Sequence, residues 1–116
     1  MANKNPKAKI DLETYLMYGG FGRVETEHIF HPTRKWRADY YLPDQEPPII
    51  VEYDGLMSPK ANVGHASIGG ILRDTDKINA ATAMGIRVFR ANAKIIHNGE
   101  FFSLMDETLS KVRIKS

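Results

Sequence analysis

Cysteine is absent from the 116 residues, which excludes disulfides, thiolate zinc sites and a cysteine nucleophile, and is what a reducing compartment permits. Any metal must therefore sit on oxygen or imidazole. There is no apolar run of about 18 residues and no charged-then-apolar leader, so neither a membrane span nor export is indicated. A cytoplasmic location is expected. Charge of one sign is also scarce: 16 Lys and Arg stand against 14 Asp and Glu, a net of +2. Basic nucleic-acid-binding domains usually lean further, so the placement of charge, not its total, must carry any argument for such a partner. A chain of 116 residues has room for one core but not for a separate regulatory module. The expected organisation is a polar arm over residues 1–9 (MANKNPKAK) and one domain over residues 10–116.

The rest of the chain is well punctuated. IDLETYLMYGG predicts a helix with Asp11 as N-cap and Gly19-Gly20 as stop. RVETEHIFHP sets Val24, Thr26, His28 and Phe30 against Glu25, Glu27 and Ile29, the alternation of a strand. After a TRK turn, WRADYYLP predicts the returning strand, stopped by Pro43. IIVEYDG is the best candidate for a buried central strand. LMSPKANVGHASIGG reads as a loop of about 15 residues, a length that is usually functional. ILRDTDKINAATAMG predicts a helix with Ile71, Thr75, Ile78 and Thr82 in one stripe and Gly85 at its end. IRVFRA predicts a strand, and GEFFSLMDETLSKVRIK a closing helix with Phe101, Leu104, Met105, Thr108, Leu109 and Val112 on one face. The order α-β-β-β-α-β-α predicts an α/β layer fold: a mixed central sheet flanked by helices, with two hairpin joins and then a right-handed crossover through the long helix.

Three carboxylates interrupt the apolar strand runs: Asp39, Glu52 and Asp54. Burying such a group without a partner costs several kcal/mol, so a partner is expected, and a bound cation is one. Adjacent strands lie about 4.8 Å apart, close enough for Asp39 and Glu52 to share a divalent ion. Glu52 and Asp54, two apart, fall on one strand face, so the three carboxylates can line one wall. The plainer alternative pairs Asp39 with Arg37 or Arg34 and makes Asp54-Gly55 an ordinary turn.

Asp39 followed by Glu52-Tyr53-Asp54 resembles the D…(D/E)-x-K core of the restriction-endonuclease-like, or PD-(D/E)XK, superfamily, with Asp54 where the lysine usually stands. HPTRKWRADYYLP, IIVEYDG and GHASIGGILRDTDKINAATAMGIRVFR are similar, in order, to segments of the small phage and prophage nucleases of that superfamily, which are akin to the very-short-patch-repair and homing nucleases. The likeness covers residues 24–90. It implies a restriction-endonuclease-like core and a DNA endonuclease dependent on Mg²⁺ or Mn²⁺, in the host cytoplasm if phage-encoded. It implies Asp39, Glu52 and the Tyr53 carbonyl as metal ligands. For the missing lysine it implies either Lys77, borrowed from the following helix, or a second metal on Asp54. His65 matches the loop histidine of the family, although Val63 precedes Gly64 where an arginine would be expected nearby. Glu13 and Glu27 both remain candidates for the acidic residue that the superfamily supplies from its first helix.

Phosphodiester hydrolysis needs positive charge on the phosphoryl oxygens and an activated water, and oxygen ligands suit Mg²⁺ or Mn²⁺. Cations stand near the proposed site in sequence: Arg34, Lys35 and Arg37 in the hairpin, Lys60 in the loop, Arg73 and Lys77 on the helix, Arg87 and Arg90 on the last strand. Such residues would position a duplex without reading its sequence. A normal solvated surface, with Lys77 merely paired to Asp74, is the plainer alternative. His28, His31 and His97 lack zinc spacing and read as structural or surface residues. Two other classes compete with the enzyme: a catalytically silent nucleic-acid-binding module of the same fold, and a structural subunit whose carboxylates pair with arginines. Within the enzyme reading, a homodimer selective for branched or nicked DNA is expected of so short a chain, with no membrane and no small-molecule cofactor.

Overall fold

Ile49, Ile50 and Val51 are β-branched and wholly apolar, the composition of a strand covered on both faces. In the computed structural model, which describes residues 6–54 and 68–112, these residues are at most 1% exposed. They open β3 (Ile49–Asp54), an inner strand of a four-stranded sheet in the order β1-β2-β3-β4. The preceding elements are α1 (Pro6–Tyr18), β1 (Glu25–Ile29) and β2 (Arg37–Leu42); α2 (Ile68–Ala83), β4 (Arg87–Asn92), α3 (Ala93–His97) and α4 (Glu100–Thr108) follow. β1, β2 and β3 pair antiparallel and β4 joins β3 in parallel. The expected mixed α/β sheet with flanking helices is therefore present. Among the described residues no helix is long and apolar enough to cross a membrane.

Two cores cover the two faces. On one, Leu12 and Leu16 of α1, Ile96 of α3, and Phe101 and Met105 of α4 pack on Tyr40, Leu42, Ile49 and Val51. On the other, Ala81 of α2 packs with Phe30, Ala38, Ile50 and Ile86. Each fully buried leucine or isoleucine here is worth about 1.5–3 kcal/mol.

Several expected boundaries move, each for a physical reason. α1 begins at Pro6, so the last residues of the expected arm form its first turn, where proline is tolerated. Ala8, Leu12 and Leu16 make its buried stripe. Asp11 is inside the helix, 2.9 Å from Lys7, and is not its cap. α2 begins at Ile68 instead of Ile71. Its covered side runs through Lys77, Ile78 and Ala81, whereas Thr75 and Thr82, expected in the stripe, are exposed. The closing helix stops at Thr108. Before it lies a short helix that the pattern did not predict, α3, capped by the Asn92 side chain accepting the Ile95 N–H. Gly99, at φ 85°, separates α3 from α4.

Leu109 is extended because the chain beyond α4 is tied elsewhere. Gln45, 2% exposed, donates its amide to the carbonyls of Phe21 and Ser110 at 2.9 and 2.8 Å and accepts the Ser110 N–H at 2.9 Å. A buried amide left unmatched would cost about 1–3 kcal/mol, and here its donor and acceptor ends are both matched.

Candidate active site

The β2–β3 ladder pairs Leu42 with Ile49, Tyr41 with Ile50 and Tyr40 with Val51, and there it stops. The next pair in register would be Asp39 and Glu52. Instead of bonding main chain to main chain, the two residues use their side chains: Glu52 Oε2 accepts the Asp39 N–H at 3.0 Å, and Asp39 Oδ2 accepts the Tyr53 N–H at 2.8 Å. A hydrogen bond to a carboxylate contributes about 1.5–3 kcal/mol, so the lost ladder bonds are replaced in kind. The other edge of β2 breaks at the same level. Glu27 stands opposite Asp39 without a ladder pair and has φ 51°, a left-handed conformation unusual for glutamate.

This double break reverses the alternation expected of both strands. Tyr40 and Leu42 enter the first core, whereas Ala38 enters the second. On β1, Thr26 reaches the α1 side with Tyr40, but His28 stacks flat on Tyr41, which packs on the second core, with ring centroids 4.5 Å apart. Glu25 and His28, on opposite faces of a regular strand, meet at 3.0 Å.

Lys77 completes the cluster from α2. Its Nζ is 2.7 Å from Glu52 Oε1, and the two side chains are 17% and 18% exposed. Phe30, Ile50, Ile78, Ala81 and Val88 surround the pair. In such low-dielectric surroundings the contact is stronger than a surface pair. Lys77 thus pairs with Glu52 and not with Asp74, which lies 3.8 Å from Arg90.

Asp39 opens toward the other layer. Together with Lys9, Glu13, Met17, Thr26, Glu27 and Tyr40 it lines a cleft of about 350 Å³ between α1 and the sheet. Glu13 and Glu27, the two acidic candidates, both reach this cleft. Glu13 Oε2 accepts the Tyr40 hydroxyl at 2.7 Å. Burial first, and the Glu13 carboxylate second, hold the Tyr40 phenol well above its ordinary range, so it remains a donor.

Asp39 and Glu52 do not line one wall: Asp39 lines the α1 cleft and Glu52 the α2 side. Asp54 lies level with Asn92 at the end of β3. Among the described residues no group of three or more histidine or acidic side chains is disposed to hold a metal ion. The donor chemistry of the Asp39–Glu52 pair is nonetheless oxygen only, and Asp39 Oδ1 takes no hydrogen bond among the described residues.

The cations divide by the register. Arg90 is level with Glu52, and Arg37 lies 3.8 Å from Glu27 rather than beside Asp39. Arg34 and Lys35 are exposed in the β1–β2 turn, at the same end of the sheet. Arg87 does not join them: it is level with Ile49, at the far end of β3, and donates to the Pro47 carbonyl at 2.7 Å. Lys60 and His65 lie outside the described residues, as does the side chain of Arg73. Sequence reasoning missed Lys9 and Tyr40 at the cleft and the backbone turn at Glu27; only the Glu13-to-Tyr40 phenol contact had a signal, a tyrosine hydroxyl facing a core. No family model, curated protein or solved structure matches this chain.

Proposed function

We propose that the chain is a DNA endonuclease with a restriction-endonuclease-like core, hydrolysing phosphodiester bonds with Mg²⁺ or Mn²⁺. The observation that carries this reading is the line Lys77–Glu52–Asp39, in which a helix lysine meets Glu52 where the split in the sheet turns both carboxylates to side-chain contacts. Asp39, Glu52 and the Tyr53 carbonyl would hold the metal, a hard-oxygen set that suits either ion. When bound, the ion supplies positive charge to the phosphoryl oxygens. Lys77, 2.7 Å from Glu52, adds a second cation within reach of the same oxygens or orients water. Arg34, Lys35, Arg37 and Arg90 provide phosphate contacts at this end of the sheet. Asp54 as a second-metal ligand is the competing account of the missing lysine. The reading extends to a homodimer acting on nicked or branched DNA.

One observation favours a second reading. Both carboxylates already have partners within the chain, which suits a catalytically silent nucleic-acid-binding module. A panel of nicked plasmid, four-way junction, flap and linear DNAs, with Mg²⁺ or Mn²⁺, separates the two. Cleavage lost in Asp39→Asn supports the nuclease; binding of the panel without any cleavage supports the silent module. Either ion should also raise the melting temperature of the wild-type protein and not that of Asp39→Asn.

A further inference from the structure

Trp36 is the single tryptophan of the chain, and the β1–β2 turn is built around it. Phe30 stacks near it at 6.4 Å between ring centroids and His31 meets it edge-on at 5.2 Å. The guanidinium carbon of Arg34 lies over the ring, 4.2 Å from its centroid. His31 shapes the backbone that places Arg34 there: its Nδ1 accepts the main-chain N–H groups of Thr33 and Arg34 at 3.2 and 2.9 Å.

The stacking on Trp36, more than charge pairing, sets this turn apart, since Lys9, Arg87, Lys94 and Lys111 also lack an ion pair among the described residues. Lys7, Arg23, Arg37, Lys77 and Arg90 each have a carboxylate within 4.0 Å. Arg34 and Lys35, both exposed, have none among the described residues. A cation–π contact orders the guanidinium at a cost in side-chain freedom, and leaves its outer face and N–H edge to solvent. A nucleobase stacks on such a face and a phosphate meets such an edge. Ile29 and Arg37 close the β1–β2 pairing, so the turn lies just beyond them. Asp39 is two residues inside, about 7 Å along the strand.

We propose that the His31–Arg34–Trp36 turn docks an unpaired nucleotide of a DNA strand, with the base on Arg34 and a neighbouring phosphate on Lys35. The proposal rests on the nuclease reading for its substrate class and narrows it: a base inside a duplex offers no free face, so the preferred DNA carries unstacked nucleotides beside the scissile duplex, as at a branch or flap.

The fluorescence of Trp36 reports on this turn alone. Titrating the full chain with a short oligothymidylate should change that emission, with binding roughly tenfold or more tighter than to an abasic strand of equal length, the scale of one base stack. Arg34→Lys keeps the charge without the plane, so it should bind the abasic strand like wild type and lose the preference for bases. His31→Asn, whose Oδ1 can replace Nδ1 as acceptor, should keep the preference that His31→Ala loses. Glu52→Gln should leave emission change and affinity intact while abolishing cleavage, so docking and catalysis succeed or fail separately. Equal affinity for oligothymidylate, abasic strand and duplex, or a silent Trp36, would overturn the proposal and leave only a phosphate contact.

Discussion

Ile49, Ile50 and Val51 pair residue for residue with Leu42, Tyr41 and Tyr40, whereas Glu52, Tyr53 and Asp54 have no ladder pair on β2 and pair only with β4. The first three are buried and the last three partly exposed. One strand of six residues is thus half core and half site. Glu52 keeps a fixed main chain through its pairing with β4, while the opposite edge, released from β2, becomes the place where side chains act. The Asp39 and Tyr53 N–H groups stay matched there, because carboxylates stand in for the missing carbonyls.

The sharpest way to break the comparison is to remove charge from the open half while keeping its shape. Asp39→Asn and Glu52→Gln retain an acceptor for the Tyr53 and Asp39 N–H groups. Each should lower single-turnover DNA cleavage by about 10³-fold, with melting close to wild type. Wild-type rates would relocate the site. Lys77→Ala should slow the chemical step by about 10²-fold and leave DNA affinity nearly unchanged. If Lys77→Ala cuts normally and Asp54→Ala is dead, the helix lysine is structural and a two-metal site takes its place. In the closed half the effect moves from rate to stability: Ile50→Val should cost about 0.5–1.5 kcal/mol in urea unfolding, with cleavage per folded molecule unaltered.

The smallest effect lies away from β3. Arg23 bonds the Asp44 carboxylate through its side chain and its main-chain N–H, holding that carboxyl below its ordinary range. A depressed pKa contributes stability above the unfolded value, about 3.9 for aspartate, and loses it as pH falls through the folded value. Asp44→Asn should therefore shift the urea midpoint slightly at pH 7 and not at all in strong acid. A difference that persists in acid would assign Asp44 a steric role beside Gly22.

The closed half was legible from the residues and the open half only in outline. Period-two runs such as Tyr40/Leu42 and the β-branched Ile49–Val51 announce a strand because burial and pleat act on the same residues. Lys77 entered through the resemblance and not through helical spacing, which pointed to a stripe containing the exposed Thr75 and Thr82. What the pattern could not reveal was where the pleat reverses. Glutamate rarely adopts φ above zero and nothing around Glu27 marks that it does, so Val24 to Phe30 read as one continuous face. The reversal is a tertiary effect, set where Asp39 exchanges main-chain for side-chain partners. At the C-terminal end the amphipathic spacing to Val112 outran the helix because Gln45, 65 residues earlier in sequence, holds Ser110 in another conformation. Gly99 marked the start of the closing helix in the sequence, and Asn92 was a readable cap for the short helix before it.

The buried Gln45 amide also has a meaning in time. During synthesis it leaves the ribosome 65 residues ahead of Ser110, a lead of roughly 3–13 s at ordinary elongation rates. Through that interval the nascent chain can form its early hairpins, but the seat for Gln45 lacks the partner for its carbonyl oxygen and one of the two for its amide. Closure waits for the far end of the message. A ribosome that stalls before codon 110 would hold a chain whose strands are all made and whose clasp is still open.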